Sequence, residues 1–230
     1  MAIAFINSTV LTVATAASTW SIPTHSSIEG GAALIVGVGP ASSGVSVQVM
    51  TDNIGNTYNT AVRCTVAKPA LCNAELWYAM NISSLSTRIS LTLTAASSGS
   101  VAVGQFRGVS TRLALDRTAS SAIAANSTSH GAAEITPSAA NMVVVSYARM
   151  NASTIGTVTN LGGMTTWAST AAAVRQHGMY IIQGAASTCT GSFTTSSQCL
   201  HASVIAAFSD TATPTTGPSW PALGMLGLGM

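Results

Sequence analysis

AALIVGVG, residues 32–39, is apolar or glycine at every position and lies between Gly30-Gly31 and Pro40. A run this short, with no polar residue at alternate positions, reads as a central strand covered on both faces, because a strand with one wet face alternates. NMVVVSYA, residues 141–148, is a second, near-continuous apolar run and reads the same way. Around these two the period is two. Val45, Val47 and Val49 alternate with Ser46 and Gln48; Leu76, Tyr78 and Met80 oppose Glu75, Trp77 and Ala79; Ile89, Leu91 and Leu93 alternate with Ser90, Thr92 and Thr94. These are half-buried strands, and GP, SSG, NIGN and SSGS mark the reversals between them. A sustained helical stripe is missing. The expected fold is all-β: an antiparallel β-sandwich of the jelly-roll or Ig-like kind over residues 1–210, with an extended C-terminal tail over 211–230.

The two halves echo each other. ALIVGVG resembles MVVVSYA, AELWYAMN resembles QHGMYIIQ, RISLTLTA resembles CTGSFTTS, and SVAVGQFRGV resembles HASVIAAFSD, in the same order. A repeated sheet layout gives such an echo, and so do two unrelated β-rich segments of simple composition. The polar stretch TASSAIAANSTSHGAAEITPSAA, residues 118–140, reads as a long crossover or an excursion around a sandwich edge. The alternative makes it a linker between two small β domains, 1–117 and 141–210.

Composition narrows the function classes. Charged residues make up 6% of the 230, against roughly 25% in an average soluble protein. Apolar residues at 47% with a net charge of +2 are the reverse of a disordered composition. Arg63, Lys68, Arg88, Arg107, Arg112, Arg117, Arg149 and Arg175 are scattered, so no basic cluster suits nucleic acid. Ser or Thr interrupts every apolar stretch before it reaches the ~18 residues of a membrane-spanning helix. The segment MAIAFINSTVLTVATAAS lacks the basic and uniformly apolar regions of an export signal and reads as the first strand.

Candidate sites are few. TDNIGNTYNTA, residues 51–61, offers Asp52, Asn53, Gly55 and Asn56, but position 63, where a calcium loop of the EF type would place its bidentate Glu, is Arg63. Asx residues around a Gly are what a tight reversal needs, so a structural turn is expected. Glu29, Asp52, Glu75, Asp116, Glu134 and Asp210 show no paired spacing, and His25, His130, His177 and His201 show no ligand spacing; neither a catalytic nor a metal site is expected. Cys64 with Cys72, and Cys189 with Cys199, are spaced as facing positions of two hairpins, which makes them disulfide candidates. Trp20 and Trp167 lie beside turns, where an exposed indole would form a glycan platform, although the core claims most aromatics in so aromatic-poor a chain. The tail TATPTTGPSWPALGMLGLGM, residues 211–230, turns abruptly to Pro, Gly and apolar residues. Its Trp220, Leu223, Met225, Leu226, Leu228 and Met230 cannot form a stable helix among so many Gly and Pro, and they need a groove on this sandwich or on a neighbouring subunit.

The succession from FINSTVLTVAT through VSVQVMTDNIGNTYNTAV to ASVIAAFSD resembles a loosely defined group of Ser/Thr/Gly-rich β-sandwich proteins, whose recurrent feature is a V-T-D-x-x-G-N-x-Y hairpin. The resemblance covers about residues 5–210. Such proteins occur among bacteriophage virion proteins and bacterial surface or secreted proteins, and the group offers no catalytic motif to carry over. The resemblance implies a non-enzymatic structural subunit of a virion or other extracellular assembly, such as a capsid decoration protein or a spike or fibre component. It would need no cofactor and would partner itself and other virion subunits. The alternative is a secreted or surface carbohydrate-binding module or adhesin that uses Trp20 or Trp167.

Overall fold

Alternating β-branched residues and closely spaced turn signals give twelve strands and no helix among the described residues. The computed structural model describes residues 2–24, 28–65, 72–84, 86–111, 114–131, 134–151, 156–170 and 175–210. The strands are β1 (Ala4–Pro23), β2 (Ala33–Pro40), β3 (Val47–Asp52), β4 (Asn59–Thr65), β5 (Asn73–Ala79), β6 (Arg88–Arg107), β7 (Leu115–His130), β8 (Met142–Asn151), β9 (Val158–Asn160), β10 (Thr165–Thr170), β11 (Arg175–Gln183) and β12 (Phe193–Phe208).

They form two antiparallel six-stranded sheets packed face to face. The first runs β1-β6-β2-β5-β4, with β3 also on β6; the second runs β7-β12-β8-β11-β10, with β9 also on β12. Each sheet takes its strands from one half of the chain, so the crossing between sheets happens once, from β6 to β7. Immunoglobulin-type connectivity passes between its sheets repeatedly.

The two sheets share one layout down to their irregularities. In the first, Phe5, Asn7, Val13, Ala17 and Trp20 pair with Phe106, Gln105, Gly99, Ser97 and Leu91. In the second, Leu115, Arg117, Ile123, Ser127 and His130 pair with Phe208, Ala207, His201, Cys199 and Phe193, and the register breaks fall at the same places. The bulge between Thr60 and Val62 of β4 recurs between Thr166 and Ala168 of β10. The echo between the halves is therefore a repeated architecture. Every strand match read from the sequence holds, but three of the four are one residue out of register: Ala33 of β2 corresponds to Val143 of β8, since each pairs with the Phe ending the long strand. A one-residue slip exchanges the faces of a strand. Where both faces are apolar, the hydrophobic pattern gives no signal against that slip.

Both apolar runs are indeed covered twice. Ala33 and Ile35 face Val143, Val145 and Tyr147 in a core between the sheets that also holds Leu76, Phe106, Val204 and Phe208. Leu34, Val36 and Val38 point the other way, into an outer layer with Trp20, Trp77, Tyr58 and Ile82. Val144, Ala148 and Met150 do the same on the far side, under Ile135, Met164 and Cys189. The contacts across the middle are reciprocal: Phe106 meets Tyr180 edge-on at 5.6 Å, and Phe208 meets Tyr78 at 5.5 Å. In a two-fold assembly, residue i contacts j and j contacts i, and the two halves meet in that manner.

The first part of the stretch 118–140 is strand. Residues 118–130 belong to β7, the edge strand of the second sheet. Beyond β7 the described chain wraps the outer face, with Ile135 buried and bridged to Cys189. Small Ala and Ser residues carry little strand propensity; pairing with β12 imposes the strand. The tail, 211–230, with its Trp220, Leu223, Met225, Leu226, Leu228 and Met230, lies outside the described residues, as does His25.

Candidate functional site

The Asp52 turn joins β3 to β4, and its carboxylate is fully engaged. Oδ1 accepts the backbone N–H groups of Ile54 at 3.1 Å and Asn56 at 3.0 Å. Oδ2 accepts Asn56 Nδ2 at 2.5 Å, Ser86 Oγ at 3.0 Å and the Tyr58 hydroxyl at 3.2 Å. Burial works to raise the pKa of Asp52, and the hydrogen bonds from Asn56, Ile54 and Ser86 outweigh it, so the group lies below the ordinary carboxylate value. Gly55 takes the positive φ of 82° that the reversal requires. Asn53 Oδ1 accepts from the N–H groups of Thr87 and Arg88, pinning the turn to the start of β6. This is a turn locked by its own Asx side chains.

A second polar knot was not foreseen from the sequence. Glu75, fully buried on β5, accepts the Val47 N–H at 2.9 Å through Oε1, and Arg63 Nε at 2.9 Å with Trp77 Nε1 at 2.8 Å through Oε2. The Arg63 guanidinium also lies over the Trp77 ring, 5.2 Å from its centroid. Together these contacts tie β3, which pairs with β6, to the neighbouring strands β4 and β5. Strand alternation puts Glu75 and Trp77 on one face, but Val47 and Arg63 arrive only through the topology.

In the second half, the place of Glu75 is taken by His177, whose Nε2 meets Asn160 Oδ1 on β9 at 2.6 Å. The place of Trp20 over Gly99 is taken by His130 against His201. Their Nδ1 atoms lie 3.1 Å apart, and His130 Nε2 meets Thr195 Oγ1 at 2.8 Å and Cys199 Sγ at 3.4 Å. All three imidazoles surround Phe193, with ring centroids 5.1, 5.0 and 6.5 Å away for His130, His177 and His201. Burial lowers the pKa of each; for His130, adjacent His201 lowers it further, to about 4. Burial also raises the Cys199 thiol. The Cys199–His130 contact therefore joins a neutral thiol to a neutral imidazole, with Cys199 only 1% exposed. A nucleophile needs a thiolate and an approach path, so this cluster reads as core.

The cysteine and tryptophan expectations are corrected. The four cysteines are buried free thiols. Their spacing suggested facing hairpin positions, yet Cys64 faces Ala74 and Cys199 faces Ser127, while Cys189 bridges to Ile135. The indoles are no glycan platform. Trp20, 1% exposed, donates from Nε1 to the carbonyls of Ala17 and Ser97; Trp167, 4% exposed, donates to the carbonyl of Ser146. Each indole packs over glycines that leave room for it, Gly99 under Trp20 and Gly178 under Trp167. A half-open cavity of ≈ 330 Å³ lies where the described chain ends, lined by Ala2, Ile3, Asn141, Ile182 and Asp210; among the described residues, Asp210 is its one titratable side chain.

The fold and its contents define an internally repeated antiparallel sandwich whose buried polar groups hold strands together. No family model, curated protein or solved structure matches the chain.

Proposed function

We propose that this chain is a structural, non-catalytic subunit of an extracellular assembly of the bacteriophage virion kind, serving as a capsid decoration protein or as part of a spike or fibre. The observation that carries this reading is the use to which the reactive side chains are put. Asp52, Glu75, His130, His177, His201 and Cys199 are each spent on contacts within the fold. Exposed strand positions such as Ala14, Thr15, Ala16, Ser18 and Thr19 put Ser, Thr and Ala on the surface of the two-sheet scaffold. The carbohydrate-module reading loses the two indoles it relied on, since both are buried.

On this reading the chain associates with itself and with other subunits of the particle, and its apolar tail has a docking role. Native mass measurement of the full chain, beside a variant lacking residues 211–230, tests it. The expected result is an oligomer or particle-bound state that the truncation abolishes while the sandwich stays folded. A full chain that remains monomeric and binds no particle would overturn it.

A further inference from the structure

Among the described edge strands, β1 is the longest. This strand runs twenty residues and pairs with β6 alone, and no described strand lies on its other side. Edges in monomeric proteins are blunted by charge, proline, bulges or shortness. From Ala4 to Ile22, β1 has no charged residue and no proline. Between Asn7 and Val13 it follows β6 without a register break. The other edges differ. β4 is seven residues long and carries Arg63, which is engaged by Glu75. β10 is six residues long, and its Trp167 carbonyl accepts Ser8 Oγ of β1 at 2.6 Å, a side-chain contact that sets these two edges beside each other. β7 opens with Asp116 and Arg117, and its Ser121 carbonyl accepts from Cys64 and Ser203.

We propose that β1 is an interface for a second copy of this chain, the two β1 strands pairing antiparallel about a two-fold axis near Val10 to join two first sheets into one. The proposal rests on the assembly reading and names the surface that the assembly uses. The occupant is set by charge and geometry. An uncharged strand meets its own copy without like-charge repulsion, and a net charge of +2 opposes the approach only weakly. Thr, Val and Leu over 9–13 suit a cross-strand partner on both faces. Phe5 and Val10 rest on the core between the sheets, and Ile6, Leu11 and Val13 on the outer layer, all only half-buried. A strand laid alongside would complete their cover. Such contacts supply backbone hydrogen bonds for affinity and side-chain fit for register.

The test uses the full chain. Sedimentation and native mass measurement should give a dimer that dissociates on dilution, and amide exchange within residues 7–13 should slow as concentration rises. Thr9→Lys with Thr12→Lys, and separately Thr9→Glu with Thr12→Glu, should each weaken the dimer by about tenfold or more. Mixing the two variants should restore it, which a merely misfolded variant could not do. A full chain that is monomeric at every concentration, a dimer that both variants leave intact, or variants whose mixture stays apart would each overturn the proposal. Should truncation at residue 210 remove concentration-independent protection of β1, the edge belongs to the tail and the proposal fails, while the assembly reading survives.

Discussion

Among the described residues, no carboxylate acts on His177. Burial lowers its pKa from 6.5 to about 4, and its Nε2 is bonded to a neutral amide. Between those two values the folded protein binds fewer protons than the unfolded chain. Stability contributed by neutral His177 is therefore whole above pH 6.5 and is lost as pH falls toward 4. His130 acts in the same direction over the same window. Denaturant unfolding at pH 7 and at pH 4.5 should differ by about 2–3 kcal/mol for His177 alone. His177→Gln, which keeps an N–H for Asn160 and cannot titrate, should flatten its share of the slope; an unchanged profile would mean that His177 is not the group that titrates. Asp52 allows a second check at this scale. If its five donors hold the turn, Asp52→Ala costs about 2–3 kcal/mol, and millimolar calcium leaves the wild-type Tm where it was. A calcium-dependent rise in Tm would mean that the turn is a cation site after all.

At the scale of elements, β2 lies across β8 where side chains allow it. A Cβ on Gly37 would fall 2.2 Å from the Tyr147 ring, and one on Gly39 would fall 2.8 Å from Arg149. Gly37 is held there by Tyr147, whose hydroxyl is bonded to Ser100 and Gln176 and cannot easily yield. Gly37→Ala should cost about 3 kcal/mol by overpacking. Combining it with Tyr147→Leu should be less than additive in thermal unfolding, because the ring that clashes is gone. Additive losses would place the strain elsewhere. The strands were legible from alternation in 89–94 and from the two apolar runs, since those patterns record local burial. In 45–49 the expected shared face fails, because a bulge between Val47 and Val49 turns Val49 outward, and in 76–80 the faces are as expected but both are covered. β7 was not legible: Thr118–Ser129 is a strand because β12 lies beside it, and propensity cannot report a partner 71 residues away, as His130 is from His201. The buried Glu75 and histidine clusters escaped for the same reason. They form at the meeting of strands distant in sequence, where no spacing rule applies.

For the molecule as a whole, the repeat makes each half the other's missing layer. A six-stranded sheet with one bare apolar face is no stable unit in water; two of them, set face to face, bury Ile35, Leu76 and Phe106 against Val145, Val204 and Phe208. The halves should therefore unfold together although the chain crosses between them once. Phe106 and Phe208 offer a direct test, since each is fully buried and each meets a tyrosine of the opposite sheet. Phe106→Ala and Phe208→Ala should each cost about 3–5 kcal/mol, with a single transition in both. Native-state amide exchange should show β2 and β8 losing protection at the same free energy in either variant, because the shared layer couples the sheets. If Phe106→Ala loosened the first sheet alone, the halves would be separately stable domains that merely touch, and the central layer would not be a core common to both.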